Sequence, residues 1–454
     1  MAKSKRARGS RPSATAAPGQ PARRLSRPLL WTIVAVIFAA GVAGRIATLD
    51  LPRISQGTQV TTSSRWHPAE FHQFLEEDEK IYVALVEQLN AGKGYTLQGH
   101  PLLRELIGEQ YGYELFFHPP GAVALFWVFQ HVFGESGFAL VQVFSYGVFF
   151  WSLMWLGSIL IRPLDAVAAI ALAILGSITP IMAFVAGRFW LDAPIIAFST
   201  LAAALFLTGV TRGRLWLIGA GGAVLGYAIL IKLTSVLIVP ALLMLAWALR
   251  PRETWRQYAI WAAVLVGVAF LVQVPWELWQ WHVVGSPFPS WAGKPATRLV
   301  MTNKFVQFQT ITRGPWAYVQ LLPQVIWTLI PSFLMLAASR RVRDVGRVGA
   351  GLVCWIVAVV AAHMILGAMG YSKILRYVVL VTPATCILFA LTFSATVESL
   401  RRARVTAGAV LLVTLAVAGL GLEVAQGLKT SLYDNARGDM LTPLLGMPGP
   451  DETW

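Results

Sequence analysis

Residues 76–95 read EEDEKIYVALVEQLNAGKGY, and after a polar interval residues 116–121 read FFHPPG. The first run is dense in carboxylates inside a chain that otherwise avoids charge, so its surroundings decide its meaning. Ile81, Leu85 and Leu89 recur at i, i+4 and i+8, one stripe of an amphipathic helix, with Gly92 and Gly94 as stop signals. The acids therefore stand at the start of a surface helix. Asp78 and Tyr82 share a face of it at i, i+4, which aims a carboxylate and a ring edge into one space.

Working outward, the 454 residues are 56% hydrophobic and only 13% charged, with 18 Trp. Apolar runs at about 28–49, 137–161, 165–185, 190–210, 215–231, 233–249, 257–276, 319–337, 348–368, 374–395 and 405–424 approach or reach the ~20 residues that cross a bilayer as helix. The fold class is an all-α polytopic membrane protein with about eleven transmembrane helices. Cys354 and Cys386 lie inside apolar runs and form neither a disulfide framework nor a metal motif. The net charge of +15 does not point to nucleic acid, because residues 1–27 carry eight basic residues and no acid among Ala, Pro, Ser and Gly. That is the composition of a disordered basic cytoplasmic tail before a retained membrane anchor.

The arginines orient the bundle. Residues 119–134 are apolar but short; if they do not cross, the loops with Arg162, Arg212 and Arg214, Arg250 to Arg256, Arg340 to Arg347 and Arg401 to Arg404 all face the cytoplasm. Pro119 to Gly134 is then an interfacial segment of the first outer loop. The expected organisation is a transmembrane domain over 28–424, with outer loops 50–134 and 277–318, and a short outer tail over 425–454. The N-terminus is inside and the C-terminus outside the plasma (inner) membrane. The acids of the first loop, the turn 187–194 (GRFWLDAP), Lys232 and the stretch 371–383 (YSKILRYVVLVTP) come to the outer face.

Each of these polar groups has a plain reading and a chemical one. Asp78 and Glu79 favour a helix start, yet a carboxylate at a membrane surface also serves as general base toward a hydroxyl or holds a divalent cation. Asp192 reads as an N-cap, or, with Arg188 four residues earlier, as part of a clamp for phosphate or carboxylate. Lys232 between two apolar runs costs ~2.5–3.5 kcal/mol unless it snorkels or lines a cavity that meets an anionic headgroup. Lys373 and Arg376 break the inward pattern of positive charge and form a ready site for a lipid phosphate, or snorkel at the interface. His118 before Pro119-Pro120 is weak by itself.

Taken in order, Asp78-Glu79 with a Tyr-bearing helix, Gly-Lys-Gly-Tyr (92–95), His-Pro-Pro-Gly (118–121), Asp192 after Arg-Phe-Trp-Leu, Lys232 and Lys-x-x-Arg-Tyr (373–377) resemble the GT-C glycosyltransferases. More narrowly the set is similar to the dolichyl-phosphate-mannose protein mannosyltransferase group that includes the lipid A aminoarabinose transferases, over about residues 28–395. The resemblance implies transfer of a sugar from a polyprenyl-phosphate donor to a lipid, glycan or protein acceptor outside the cytoplasm. It carries the catalytic acid onto Asp78, with Glu79 beside it. It brings His118, Arg376 and Tyr377 near the donor phosphate. Where the aminoarabinose enzymes have Glu-Lys before the prolines, this chain has Phe117-His118. Tyr82, Arg188, Asp192, Lys232 and Lys373 complete the expected substrate-binding set; no cofactor is certain, and a divalent cation at Asp78 and Glu79 is one option. A carboxylate base opposite a leaving phosphate met by cations predicts inversion at the anomeric carbon. A secondary transporter or lipid flippase is the competing class, marked by repeated halves and interrupted helices. A non-catalytic assembly subunit would leave Asp78, Arg188 and Arg376 without a role.

Overall fold

The computed structural model describes residues 25–50, 53–54, 60–61, 77–101, 119–284, 316–339, 343–368, 375–402 and 407–431. The polar calls at His118 and Lys373, the basic tail before residue 25 and most of the two outer loops and the C-terminal tail lie outside them.

The described chain is helical apart from a two-residue antiparallel ladder of Arg53–Ile54 with Val60–Thr61. Its helices are α1 (Arg27–Asp50), α2 (Glu77–Asn90), α3 (Gly121–Phe133), α4 (Gly137–Leu160), α5 (Ala166–Ile178), α6 (Pro180–Val185), α7 (Asp192–Arg212) and α8 (Leu215–Ile231). There follow α9 (Val239–Leu249), α10 (Trp255–Val284), α11 (Ala317–Val325), α12 (Leu329–Ser339), α13 (Arg343–Ala368), α14 (Thr382–Arg402) and α15 (Ala407–Lys429). Among the described residues eight helical stretches are long and apolar enough to cross a membrane, nine if the bent pair α11–α12 counts as one, with α8 and the stretch Leu233–Leu249 as shorter apolar segments.

Glycine sets how closely the helices pack. A Cβ on Gly222 would lie 2.6 Å from the Leu265 carbonyl oxygen, and one on Gly226 2.7 Å from that of Ala269, so this i, i+4 pair lets α8 seat on α10. Gly221 does the same toward α7, where a Cβ would come 2.9 Å from the Phe206 nitrogen. With no hydrophobic drive between helices in lipid, this close backbone approach is what holds them.

Three expectations are revised. The run 319–337 is two helices at 93° to one another, because the chain leaves helix at Ile326–Thr328 and the Glu423 carboxylate of α15 accepts hydrogen bonds from the Thr328 N–H (3.0 Å) and hydroxyl (2.6 Å). The loop expected from residue 277 is helical as far as Val284, through Pro275, with Trp276 and Trp279 stacked at 4.9 Å and Tyr95 edge-on to Trp276 at 5.6 Å. The last helix runs on to Lys429, where buried Glu423 and Gln426 give its final turns a packed face.

The first loop closes on the bundle through α2 and α3. Gly134 turns the chain at φ 64°, and α3 folds back so that a Cβ on Gly137 would meet the Phe129 and Gln130 backbone at 2.4 Å. At its other end, Gly121 lies against the last turn of α8: a Cβ there would be 2.7 Å from the Leu230 carbonyl. The Tyr227 hydroxyl donates to the Gly121 carbonyl at 2.9 Å. The glycine of the Pro-Pro-Gly motif is thus a packing requirement, and it delivers the motif to the residue before Lys232.

Candidate active site

Two ion pairs form the centre of the site. α2 begins as expected, and Asp78 in its first turn accepts a hydrogen bond from Arg376 Nη2, across 298 residues of chain. Arg376 belongs to a 3-10 turn, Leu375–Val381, that leads into α14. Lys232 ends α8 in extended backbone (φ −157°, ψ 126°) and begins the 3-10 turn Leu233–Ile238. Its Nζ donates to Asp192 Oδ1 at 3.0 Å. Asp192 and Lys232 are 4% and 12% exposed at their side chains, so this pair is largely out of water.

Aromatic rings join the pairs. Lys232 Nζ stands 4.8 Å and Arg376 Cζ 5.7 Å from the centre of the Tyr377 ring. Arg376 Cζ is 4.1 Å from the Trp190 ring centre, and Arg188 Cζ 5.0 Å from the same ring. Cations so placed gain from the ring quadrupole, more where water is excluded. Tyr82 is buried beside Asp78; burial, with the Asp78 charge adding to it, raises its phenol pKa well above the usual value. The phenol therefore keeps its proton as a hydrogen-bond donor.

The Asp-Glu pair divides its labour, since neighbours on a helix point about 100° apart. Glu79 is fully buried, and its Oε1 accepts the Phe189 N–H at 2.9 Å. It fastens α2 to the turn 187–190, so Glu79 positions Asp78. Arg376 donates to Asp78 Oδ2 and the Phe189 N–H to Glu79 Oε1, one oxygen of each carboxylate. Among the described residues no three His, Cys, Asp or Glu gather as for a metal.

Asp192 and Arg188 also depart from the sequence expectation. Asp192 is the first helical residue of α7 and makes no side-chain cap; Leu191 is the N-cap. Its charge goes to Lys232. Arg188 is fully buried, with Nη1 3.4 Å from the Phe184 carbonyl and Cζ 4.1 Å from the Phe184 ring. It braces the turn, packed against Trp190.

Two contributors were missed from sequence. Trp190 lies inside the Arg-Phe-Trp-Leu motif, and an aromatic between two outward cations is a signal. His363, inside an apolar run, gave none. Its Nδ1 lies 2.8 Å from the Val359 carbonyl, and its ring centre 6.1 Å from that of Tyr318 and 6.5 Å from that of Tyr377. The backbone acceptor puts the proton on Nδ1 and leaves Nε2 as an acceptor beside the site.

Comparison with known proteins accords with this geometry. Residues 117–279 match the family model described as dolichyl-phosphate-mannose-protein mannosyltransferase. No curated protein sequence matches the chain. Among solved structures it is similar to ArnT from Cupriavidus metallidurans bound to undecaprenyl phosphate, with TM-score 0.57 and 17% identity over 89% of this chain and 74% of that one. It is also similar to the oligosaccharyltransferase AglB from Archaeoglobus fulgidus in complex with an inhibitory peptide and a dolichol-phosphate, with TM-score 0.55 and 12% identity over 94% of this chain. The chain spans 57% of that larger protein's length. The protein is thus a polytopic integral membrane protein that shares its fold with ArnT and AglB, and its residues 117–279 match the mannosyltransferase family model.

Proposed function

We propose that this protein transfers a hexosyl or pentosyl group from a polyprenyl-phosphate donor to an acceptor hydroxyl at the outer face of the plasma membrane, with inversion. The observation that carries the reading is the joining of Asp78, Arg376, Lys232, Asp192 and Tyr377 at one end of the bundle. A carboxylate and two cations in contact are what such a displacement requires. The acceptor oxygen attacks the anomeric carbon, its proton passes to Asp78, and the bond to phosphate breaks with its electron pair on the leaving oxygen. Arg376 and Lys232 meet that charge as it develops.

The same geometry gives an order of events. Arg376 pairs with Asp78. Donor phosphate competes for the guanidinium, and the carboxylate it releases becomes the base. Asp192 holds Lys232 ready, and Tyr377 lies between the two cations. His118 and Lys373, each within two residues of described parts of the site, are proposed as further donor contacts. Under this reading the inward arginine loops place the N-terminus in the cytoplasm.

Interrupted helices, the mark expected of a transporter, are present at the α11–α12 corner. A catalytic assignment for Asp78 separates the two classes. Membranes carrying the protein are supplied with isotopically labelled polyprenyl-phosphate sugars, and label is followed into acceptors. Asp78→Asn is expected to stay inserted and bind donor while losing ~10²–10⁴ in transfer rate. Normal turnover in that variant would remove Asp78 from the chemistry.

A further inference from the structure

Helix α1 carries one charge inside its apolar length, Arg45, and no acid answers it among the described residues. The residue is 5% exposed. Its Nη1 donates to the Gly41 carbonyl at 3.1 Å, and its Cζ lies 3.7 Å from the centre of the Tyr146 ring. Nε and Nη2 are buried without a hydrogen-bond partner. On a guanidinium these two N–H groups run parallel along one edge, the fork that matches two oxygens of a phosphate or carboxylate. An uncompensated buried cation costs several kcal/mol, so this edge calls for an anion that the described residues do not supply.

The surroundings hold the edge in place. A Cβ on residue 41 would come 2.0 Å from the Tyr146 hydroxyl oxygen, so Gly41 is what lets the ring lie under the guanidinium. The Tyr146 hydroxyl is in turn 2.8 Å from Ser177 Oγ on α5. One residue on, a Cβ at Gly427 of α15 would strike the Ile178 carbonyl oxygen at 1.8 Å, so α15 closes on the same junction. Thr48 of α1 donates to the Ser431 carbonyl at 3.3 Å, and the Gln426 side-chain oxygen, also on α15, is buried without a partner.

Arg45 stands one turn from the end of α1, at the end of the bundle that holds Asp78, which is headgroup depth under the proposed orientation. α1 and α15 are also the two spans least embedded in the bundle, with 17% of each apolar window buried. Both pack on α5, and a lipid can enter between them. We propose that Arg45 holds the phosphate of a membrane lipid between α1 and α15, with the Nε–Nη2 edge on two phosphate oxygens. The site is independent of the sugar-transfer reading, because Asp78 and Arg376 take no part in it. Its phosphate comes from a bilayer phospholipid or from a polyprenyl phosphate.

The test uses the full-length protein, delipidated and rebuilt into phosphatidylcholine nanodiscs, alone or doped with phosphatidylglycerol or with polyprenyl phosphate. Thermal midpoint and lipid retained in native mass spectra are read for each. For wild type, one dopant is expected to raise the midpoint and to appear as a retained mass, and which one does so names the source. Arg45→Gln is expected to bind that lipid about tenfold less and to lose the midpoint rise. Tyr146→Phe keeps both, because the ring face remains. Arg45→Lys, which keeps the charge without the fork, falls between and serves if Arg45→Gln does not fold. The proposal is overturned if wild type retains neither dopant, if inorganic phosphate alone gives the same midpoint rise, or if a folded Arg45 variant retains lipid as wild type does.

Discussion

The two ends of the bundle use the same residue types for opposite purposes. At one end Arg162, Arg212, Arg214, Arg252 and Arg256 are exposed. Arg162 Nε donates to the Ile159 carbonyl at 2.9 Å, and Arg250 and Glu253 pair at 3.9 Å with side chains 41% and 38% exposed. Such pairs contribute little, because water already solvates both partners. At the other end Arg376, Lys232, Arg188 and Arg45 are withdrawn from water onto carboxylates or aromatic rings. Desolvation makes each of those interactions strong and the loss of one partner costly. The exposed arginines stay solvated, while the buried cations lean on carboxylates and rings in place of water.

Four substitutions test that contrast, in order of expected effect. Arg376→Ala leaves Asp78 without its partner at the head of α2 and removes a cation from the leaving phosphate; a fall of ~10²–10³ in kcat/KM for donor is expected. An unchanged kcat/KM in a well-expressed variant would take Arg376 out of the site. Lys232→Met should cost less in turnover but destabilise by about 3–5 kcal/mol, because Asp192 is left buried and unpaired. The pair Lys232→Met with Asp192→Asn should recover most of that stability, read as a coupling free energy from thermal or denaturant melts of the four proteins. If the two effects simply add, the pair is not an interacting unit. At the other end, Arg252→Ala, at an exposed residue, should leave turnover unchanged and shift stability by less than about 1 kcal/mol. A large loss there would erase the distinction between the ends.

How much of this the sequence discloses depends on the range of the interaction. The start of α2, its stop at Gly92 and Gly94 (φ 71° and 83°) and the apolar runs are local, and local periodicity reports them. Asp78, Lys232, Arg376 and Asp192 stand out because they are charges where charge is expensive. Who partners whom is not local. Arg188 and Asp192 share a turn in sequence, yet Asp192 turns to a lysine 40 residues away and Arg188 to two rings. Arg45 escapes notice for the opposite reason: one arginine near the end of an apolar run looks like an interfacial anchor, and only the packed Tyr146 beneath it reveals burial. The corner at Ile326–Thr328 is hidden because the acid that caps it lies 95 residues onward.

That corner bears on how the protein is made. The Thr328 N–H and hydroxyl are satisfied by Glu423, and a Cβ on Gly419, one turn earlier in α15, would lie 2.9 Å from the Trp327 carbonyl oxygen. A ribosome delivering this chain releases α11 and α12 well before the helix that completes their bend exists. Until α15 enters the membrane the corner has an unpaired donor in hydrocarbon, which favours a straight, continuous helix there. The 93° turn is therefore among the last features to set during synthesis. Since α11 packs against the turn that carries Arg376 and Tyr377, the arrival of α15 is expected to bear on the site as well.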